Sequence, residues 1–326
     1  MKTLIATMLA ATALCAMPAL AQDKPPLRII YATHADSGNT FWLTVKKGMD
    51  DACAIVKADC QMLFIAKAGD VAGHIANIQA AIAQQPDLLI TSITDDTAFD
   101  AVVKEAVDAG IAVISSNVDD NQGAKGNARA AFVGQSFFTA DEALATRVAG
   151  DFPADGPIRV LIGVNAPADN WSRTRANGII AGLEAWKAAN PSRDISWHEI
   201  DAGLDYGTSA DRFGSYFTSE PNLTAYFDTG FWDVGVVTVL KDRGIEPGKV
   251  ILGGFDLVPD VLAQMQAGYI QYHVDQQPYL QGWAPVMQAG PIRDYKMAAY
   301  DVDTGSAIVT KDMVGAIEEL SKAGYR

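Results

Sequence analysis

The chain has 326 residues, 49% of them apolar, and a formal net charge of −14, enough material for two hydrophobic cores rather than one. That acidic balance excludes nucleic acid and anionic membrane as partners, since both need clustered Lys and Arg. Four histidines (His34, His74, His198 and His273), none spaced as a ligand pair, give no metal site to expect, and the absence of Walker A and G-x-G-x-x-G patterns gives no cofactor.

At the start, Lys2 precedes an apolar run from Leu4 to Ala19, and Ala19-Leu20-Ala21 places small residues where signal peptidase reads them. Residues 1–21 therefore read as a signal peptide cleaved before Gln22. The run is broken by Thr7, Thr12 and Pro18 and is too short to span a membrane. Bulky Leu14 ahead of Cys15 argues against lipoprotein processing. Losing Lys2 takes the charge from −14 to −15. Two cysteines then remain, Cys53 and Cys60, seven apart. An oxidising compartment permits a disulfide from a helix end to the next strand start; two buried thiols are the alternative.

From Leu27 onward, short apolar runs alternate with stretches of helical periodicity. Strand Leu27 to Ala32 leads through a polar loop to a helix from Thr40 to Val56. Strand Met62 to Ala66 precedes helix His74 to Ala83, strand Leu88 to Thr91 precedes helix Thr97 to Ala109, and strand Ala112 to Ser115 follows. After strand Ala131 to Val133 and a helix from Thr139 to Gly150, the composition break at Pro153 to Pro157 marks a restart. Strands at 158–162, 195–200 and 225–227 then alternate with helices at 173–189, 208–218 and 234–243. A further strand, 250–255, ends in Asp256, and after a helix at 259–267 another, 269–274, ends in Asp275-Gln276-Gln277 before Pro278. The tail offers a strand-like run from Tyr300 and a helix from Lys311 to Ala323. Apolar strands of four to six residues alternating with helices predict parallel sheets covered on both faces. About ten strands exceed one ordinary open sheet, so the fold class is α/β: two similar doubly wound parallel-sheet domains joined by a multi-strand hinge. The expected lobes are residues 22–135 plus 277–302 and residues 136–276 plus 303–326, with a crossing near Gly134-Gln135.

Ligands of such sheets bind beyond the carboxyl ends of the strands. Asn39 stands there as a helix N-cap or a contact. Phe41 and Trp42 are adjacent, so both cannot lie on one core-facing stripe, and at least one ring is expected near that edge. Ser92 and Asn117 end two strands, as turn residues or as contacts. The run Asn170-Trp-Ser-Arg-Thr-Arg175 opens a helix, where a first-turn cation is disfavoured by the dipole; a surface salt bridge or a ligand would explain it. Tyr206 and Phe231-Trp232 repeat the aromatic at a helix start. Asp256 and Gln276 read as caps, loop residues or ligand contacts. Ser, His and Asp form no catalytic constellation, and G-x-S-x-G is absent.

Four features carry a resemblance: the exported start, N-T-F-W at Asn39 to Trp42, G-F-D at Gly254 to Asp256, and D-Q-Q-P-Y-L-Q-G at Asp275 to Gly282. With these the chain resembles the periplasmic solute-binding proteins of sugar ABC transporters, the type I fold of ribose- and galactose-binding proteins. The resemblance implies a periplasmic, monomeric receptor of a small neutral sugar or polyol, working with an ABC permease and not as an enzyme. It implies hydrogen bonds to the ligand from Asn39, a sandwich by Phe41 and Trp42, and contacts from Arg175, Tyr206, Asp256 and Gln276. Ser92 stands where ribose-binding relatives have asparagine, and Asn117-Val118 where they have aspartate and arginine, which argues against ribose. The subgroup with the D-Q-Q-P-Y-L-Q-G signature is closer to binders of small sugars and linear polyols, and adds His34. Asn170 completes the expected ligand set. A ligand-sensing module for a chemoreceptor or histidine kinase is the alternative, and a repressor is set aside because the signal peptide occupies the place of its DNA-binding helices.

Overall fold

A computed structural model describes residues 24–326; the expected signal peptide, its cleavage point before Gln22 and Cys15 lie outside the described residues. The first half runs β1 (Arg28–Ala32), α1 (Thr40–Val56), β2 (Asp59–Leu63), α2 (Val71–Ala83), β3 (Leu88–Thr91), α3 (Asp100–Asp108), β4 (Ala112–Ser116), β5 (Ala131–Gly134) and α4 (Phe137–Ala149). The pattern then repeats as β6 (Ile158–Val164), α5 (Asn170–Ala189), β7 (Ile195–Asp201), α6 (Tyr206–Ser219), β8 (Ala225–Asp228), α7 (Asp233–Asp242), β9 (Ile251–Phe255), α8 (Pro259–Ala267) and β10 (Tyr272–Asp275). The chain ends with α9 (Pro278–Tyr295), β11 (Val302–Asp303), β12 (Ala307–Val309) and α10 (Val314–Lys322).

Two six-stranded sheets result, ordered β11-β5-β4-β3-β1-β2 and β12-β10-β9-β8-β6-β7. All pairings are parallel except β10 with β12. The inner strands β3, β8 and β9 are buried at every position, as sheets covered by helices on both faces require. Edge strand β2 is Asp59–Leu63 and half-exposed; its polar Asp59 and Gln61 hide it from an apolar-run search, which points instead to Met62–Ala66. The start of α3 falls at Asp100 rather than Thr97 because the Asp95 carboxylate accepts from the backbone N–H of Thr97 (2.9 Å) and Ala98 (2.8 Å), and this local turn competes with the helix.

Helix α9 has no counterpart in the sequence reading. Pro278 was expected to stop a strand, and it does, but it also serves as the first residue of a helix, where its missing N–H costs nothing. Pro285 inside α9 leaves the Gln281 carbonyl without its helical donor; the Ser116 hydroxyl, at the end of β4, donates to it at 2.8 Å. Helix α9 packs on α1 through facing glycines, Gly48 and Gly282, where any Cβ would run into the opposite backbone.

The chain passes between the sheets at residues 135–136, 276–277 and 304–306. Asp303 pairs with Gly134 in the first sheet, so the last crossing lies just beyond the expected 302/303 boundary. Amide side chains tie the crossings together: Gln135 Nε2 donates to Gly305 O (2.6 Å) and Gln277 Nε2 to Thr304 O (2.6 Å).

Cys53 and Cys60 are joined in a disulfide between α1 and β2, with Cα atoms 6.4 Å apart. A loop this short limits the entropy removed from the unfolded chain to about 2.5 kcal/mol. The Cys53→Ala/Cys60→Ala variant is expected to lose about that much in chemical denaturation while keeping its ligand affinity, since the pair is remote from the strand carboxyl ends.

Candidate functional site

The carboxyl ends of both sheets face one gap. An outer chamber of about 560 Å³ adjoins an inner pocket of about 60 Å³, and His34, Asn39, Trp42, Trp171, Phe231 and Trp232 line both. The inner pocket also takes Phe41, Asn117, Phe137, Arg175, Asp256 and Gln276. The outer one takes Tyr206, whose hydroxyl donates to Asp260 Oδ2 at 3.3 Å. Nine of the eleven residues expected to contact a ligand thus line one continuous cleft; Ser92 and Asn170 do not.

From the first lobe, Asn39 caps α1 by accepting from the Phe41 N–H at 3.1 Å, and among the described residues its Nδ2 makes no hydrogen bond. Phe41 and Trp42 are both buried, edge to face at 5.5 Å, and both stand at the carboxyl edge of the sheet, lining the inner pocket. A single core-facing stripe cannot hold both; α1 begins inside the gap, where the second lobe's Trp171, Phe231 and Trp232 supply another apolar wall. His34 stands edge-on to Trp42 at 5.1 Å. Burial pushes its imidazole down to about 3, with the charges of His74 and Arg175 adding to the effect, so it is neutral at pH 7. Its Nδ1 lies 2.6 Å from Ser92 Oγ. Ser92 is fully buried and sits one layer behind His34, where it orients the ring.

From the second lobe, Arg175 is 3% exposed. Because α5 begins at Asn170, Arg175 falls in the second turn, where the dipole penalty has faded; burial is what makes it unusual. Its guanidinium lies 3.8 Å from the centre of the Phe255 ring and 4.3 Å from that of Phe137, and donates to Thr229 O at 2.7 Å. Its Nε is buried and, among the described residues, has no hydrogen-bond partner. Burial pulls the guanidinium down, and Asp141, Asp256 and Asp228 hold it up.

At the hinge, Asn117 and Asp256 both adopt left-handed backbone, with φ of 68° and 70°, a conformation uncommon outside glycine and found at functional sites. Asn117 Nδ2 donates to Gln276 Oε1 (3.2 Å) and Gln281 Oε1 (2.9 Å), and Gln276 Nε2 donates to Asp256 Oδ1 (2.7 Å). This relay joins the two lobes through the hinge-proximal glutamine. Burial raises the Asp256 carboxyl to about 6, against the lowering effects of Arg175, Gln276 and His273.

Asn170, the first residue of α5, crosses the mouth of the gap. Its backbone N–H donates to Thr94 O at 2.9 Å, and its Nδ2 shares two hydrogens among Ile93 O, Asp96 Oδ1 and Asp119 O, each at 3.0 Å. Thr174 Oγ1 adds a bond to Asn121 Oδ1 at 2.9 Å. These contacts latch the lobes together. Asn170→Ala is therefore expected to weaken every ligand by the same factor, about five- to tenfold for one or two lost net hydrogen bonds. Titration calorimetry on two unlike ligands checks it, because a direct contact would change their ratio.

Sequence reasoning missed Phe137, Trp171 and Gln281. Trp171 sits inside the Asn170–Arg175 run and Gln281 inside D-Q-Q-P-Y-L-Q-G, so the signal was present in both; Phe137 follows the first crossing with nothing in the sequence to mark it.

Comparison with known proteins adds a family. The periplasmic binding protein domain matches residues 30–292. A xylose/arabinose-binding protein of Sulfolobus acidocaldarius is 26% identical over 307 residues, 90% of this chain and 73% of that protein. A carbohydrate transporter from Acidothermus cellulolyticus, solved with myo-inositol, superposes with a TM-score of 0.79 at 23% identity, covering 93% of this chain and all of that one. A solute-binding protein from Agrobacterium radiobacter, solved with D-arabinose, superposes with a TM-score of 0.78 at 20% identity over 93% of this chain and 99% of its own. At these identities the two structures speak for the fold, and the domain match covers most of the sequence. With two doubly wound lobes, three crossings and one cleft between them, this chain belongs to the periplasmic binding protein family.

Proposed function

We propose that this protein is a periplasmic solute receptor that closes its lobes over a small neutral sugar or polyol and, as a monomer, delivers it to an ABC permease in the inner membrane. The observation that carries this is the joint lining of one inner pocket by Asn39, Phe41, Trp42 and Asn117 from one lobe, Arg175 and Asp256 from the other, and Gln276 from a crossing between them. Amides, a guanidinium and a carboxylate supply donors and acceptors for hydroxyls, and the rings suit the C–H faces of a sugar. Each lobe holds part of the contact set, so ligand favours the closed arrangement by its differential affinity for it. His34 and Tyr206 extend the contacts outward; Ser92 and Asn170 act through His34 and through closure. The relatives are named for sugars, which supports the same class of ligand.

The test is a thermal-shift panel of D-xylose, D-arabinose, D-ribose, myo-inositol, ribitol and sorbitol. At a ligand concentration a thousand times Kd the native state gains about 4 kcal/mol, a rise of about 10 °C for lobes of this size. No shift from any carbohydrate, or recovery of a chemically altered one, overturns the proposal. Recovery of a chemoreceptor or histidine kinase instead of a permease from membranes would replace its delivery half.

A further inference from the structure

Asp256 enters the inner pocket from a left-handed turn, φ 70°, a conformation uncommon outside glycine, asparagine and aspartate. Two hydrogen bonds fix that turn. The Asp256 N–H donates to Val274 O at 2.9 Å, and the Asp256 carbonyl lies 2.7 Å from His273 Nδ1. His273, on β10, is fully buried, and its Nε2 lies 2.9 Å from Oδ2 of Asp233, which is fully buried at the start of α7. A carbonyl oxygen can only accept, so Nδ1 carries a hydrogen; with Asp233 Oδ2 as acceptor, Nε2 carries the other. The imidazole lies across β9 where Gly254 leaves room: a Cβ there would stand 2.8 Å from Nε2 and 2.9 Å from Gly230 O. Gly254, the first residue of the G-F-D motif, thus makes room for the histidine.

We propose that His273 and Asp233 are positioning residues for ligand binding: a buried imidazolium–carboxylate pair that clamps the Asp256 carbonyl and thereby aims the Asp256 carboxylate at the ligand. Neither residue lines the cleft, and neither was singled out by motif. The charged groups around the ring are Asp233 from α7 and Asp256 beyond β9, with Asp228 at the end of β8 beside Asp233. Burial works to lower the imidazole, and Asp233 and Asp256 outweigh it, so His273 sits above its ordinary value. The Asp228 carboxyl, pushed up to about 7 by burial and by Asp233, takes a hydrogen bond from Tyr226 (2.9 Å) and one from the Gly230 N–H (2.9 Å).

The clamp rests on the receptor proposal, and a double-mutant cycle separates the two. With myo-inositol, D-arabinose and D-xylose as probes, His273→Asn is expected to lose at least tenfold in affinity in the wild-type background and less than twofold in the Asp256→Asn background. His273→Gln, whose amide reaches the same carbonyl, should recover part of the loss. Equal losses in both backgrounds, or no loss in either, overturn the clamp. Nitrogen NMR of the wild-type ring supplies the readout should the histidine variants fail to fold or no probe bind: both ring nitrogens protonated at pH 7 support the charged pair, and a neutral tautomer overturns it. Absence of binding by all three probes would count against the receptor proposal and leave the NMR result standing.

Discussion

Lowering the pH from 7 to 5 is expected to weaken ligand binding about tenfold, and Asp256→Asn to remove that dependence. The carboxyl of Asp256 is held at about 6, mainly by burial. The proposed contact has ligand hydroxyls donating to it, which is best when it is ionised, so affinity should rise as pH passes upward through about 6; with a protonation midpoint there, the apparent Kd at pH 5 is about tenfold above its plateau. The stability of the ligand-free protein moves the other way. A folded-state value above the ordinary 3.8 means that the native state binds the proton more tightly than the unfolded chain does. Its contribution is therefore full below about pH 4 and lost as pH rises toward 6. Calorimetry and melting curves at pH 5, 6 and 7, on wild type and Asp256→Asn, read both slopes. A wild-type affinity flat across that range would remove Asp256 from the contact set.

Arg175→Met is expected to lower stability by about 3–5 kcal/mol, a fall of about 10 °C in Tm. The substitution fits the space among Phe137, Trp171 and Phe255 but withdraws the counter-charge for Asp141, whose two oxygens are buried without a partner, and for Asp256 and Asp228. Asp141 shows the dependence most plainly: burial drives its carboxyl well above the usual range and Arg175 is what opposes it. Arg175→Lys separates fold from function. It restores a charge but not the planar fork, so it should recover much of the Tm and little of the affinity. A lysine variant with wild-type affinity would show that charge, not directed donation, is what the site uses.

Much of the architecture is legible in the sequence because buried parallel strands are short apolar runs, and β3, β8 and β9 are such runs. What escaped has local causes. Strand β2 is an edge and half-polar; α3 starts late because Asp95 ties up its approach; α9 opens on Pro278 and holds two interior prolines that look like breaks. The lining of the cleft was legible where a polar residue ends a buried strand, as at Asn117, Asp256 and Gln276. It was less so where the second lobe changes the environment of the first. Phe41 and Trp42 are both buried because the gap has two walls, and Asn170 became a latch because loops from residues 93–121 reach across to it. Ser92 is fully enclosed behind a larger side chain, which no spacing in the sequence reveals.

The most direct measurement is a crystal structure of the protein with the panel compound that raises its Tm most. The receptor proposal predicts the molecule in the inner pocket, with Asn39 and Trp42 on one side and Arg175 and Asp256 on the other. A ligand held by one lobe alone, or bound outside the cleft, would contradict it.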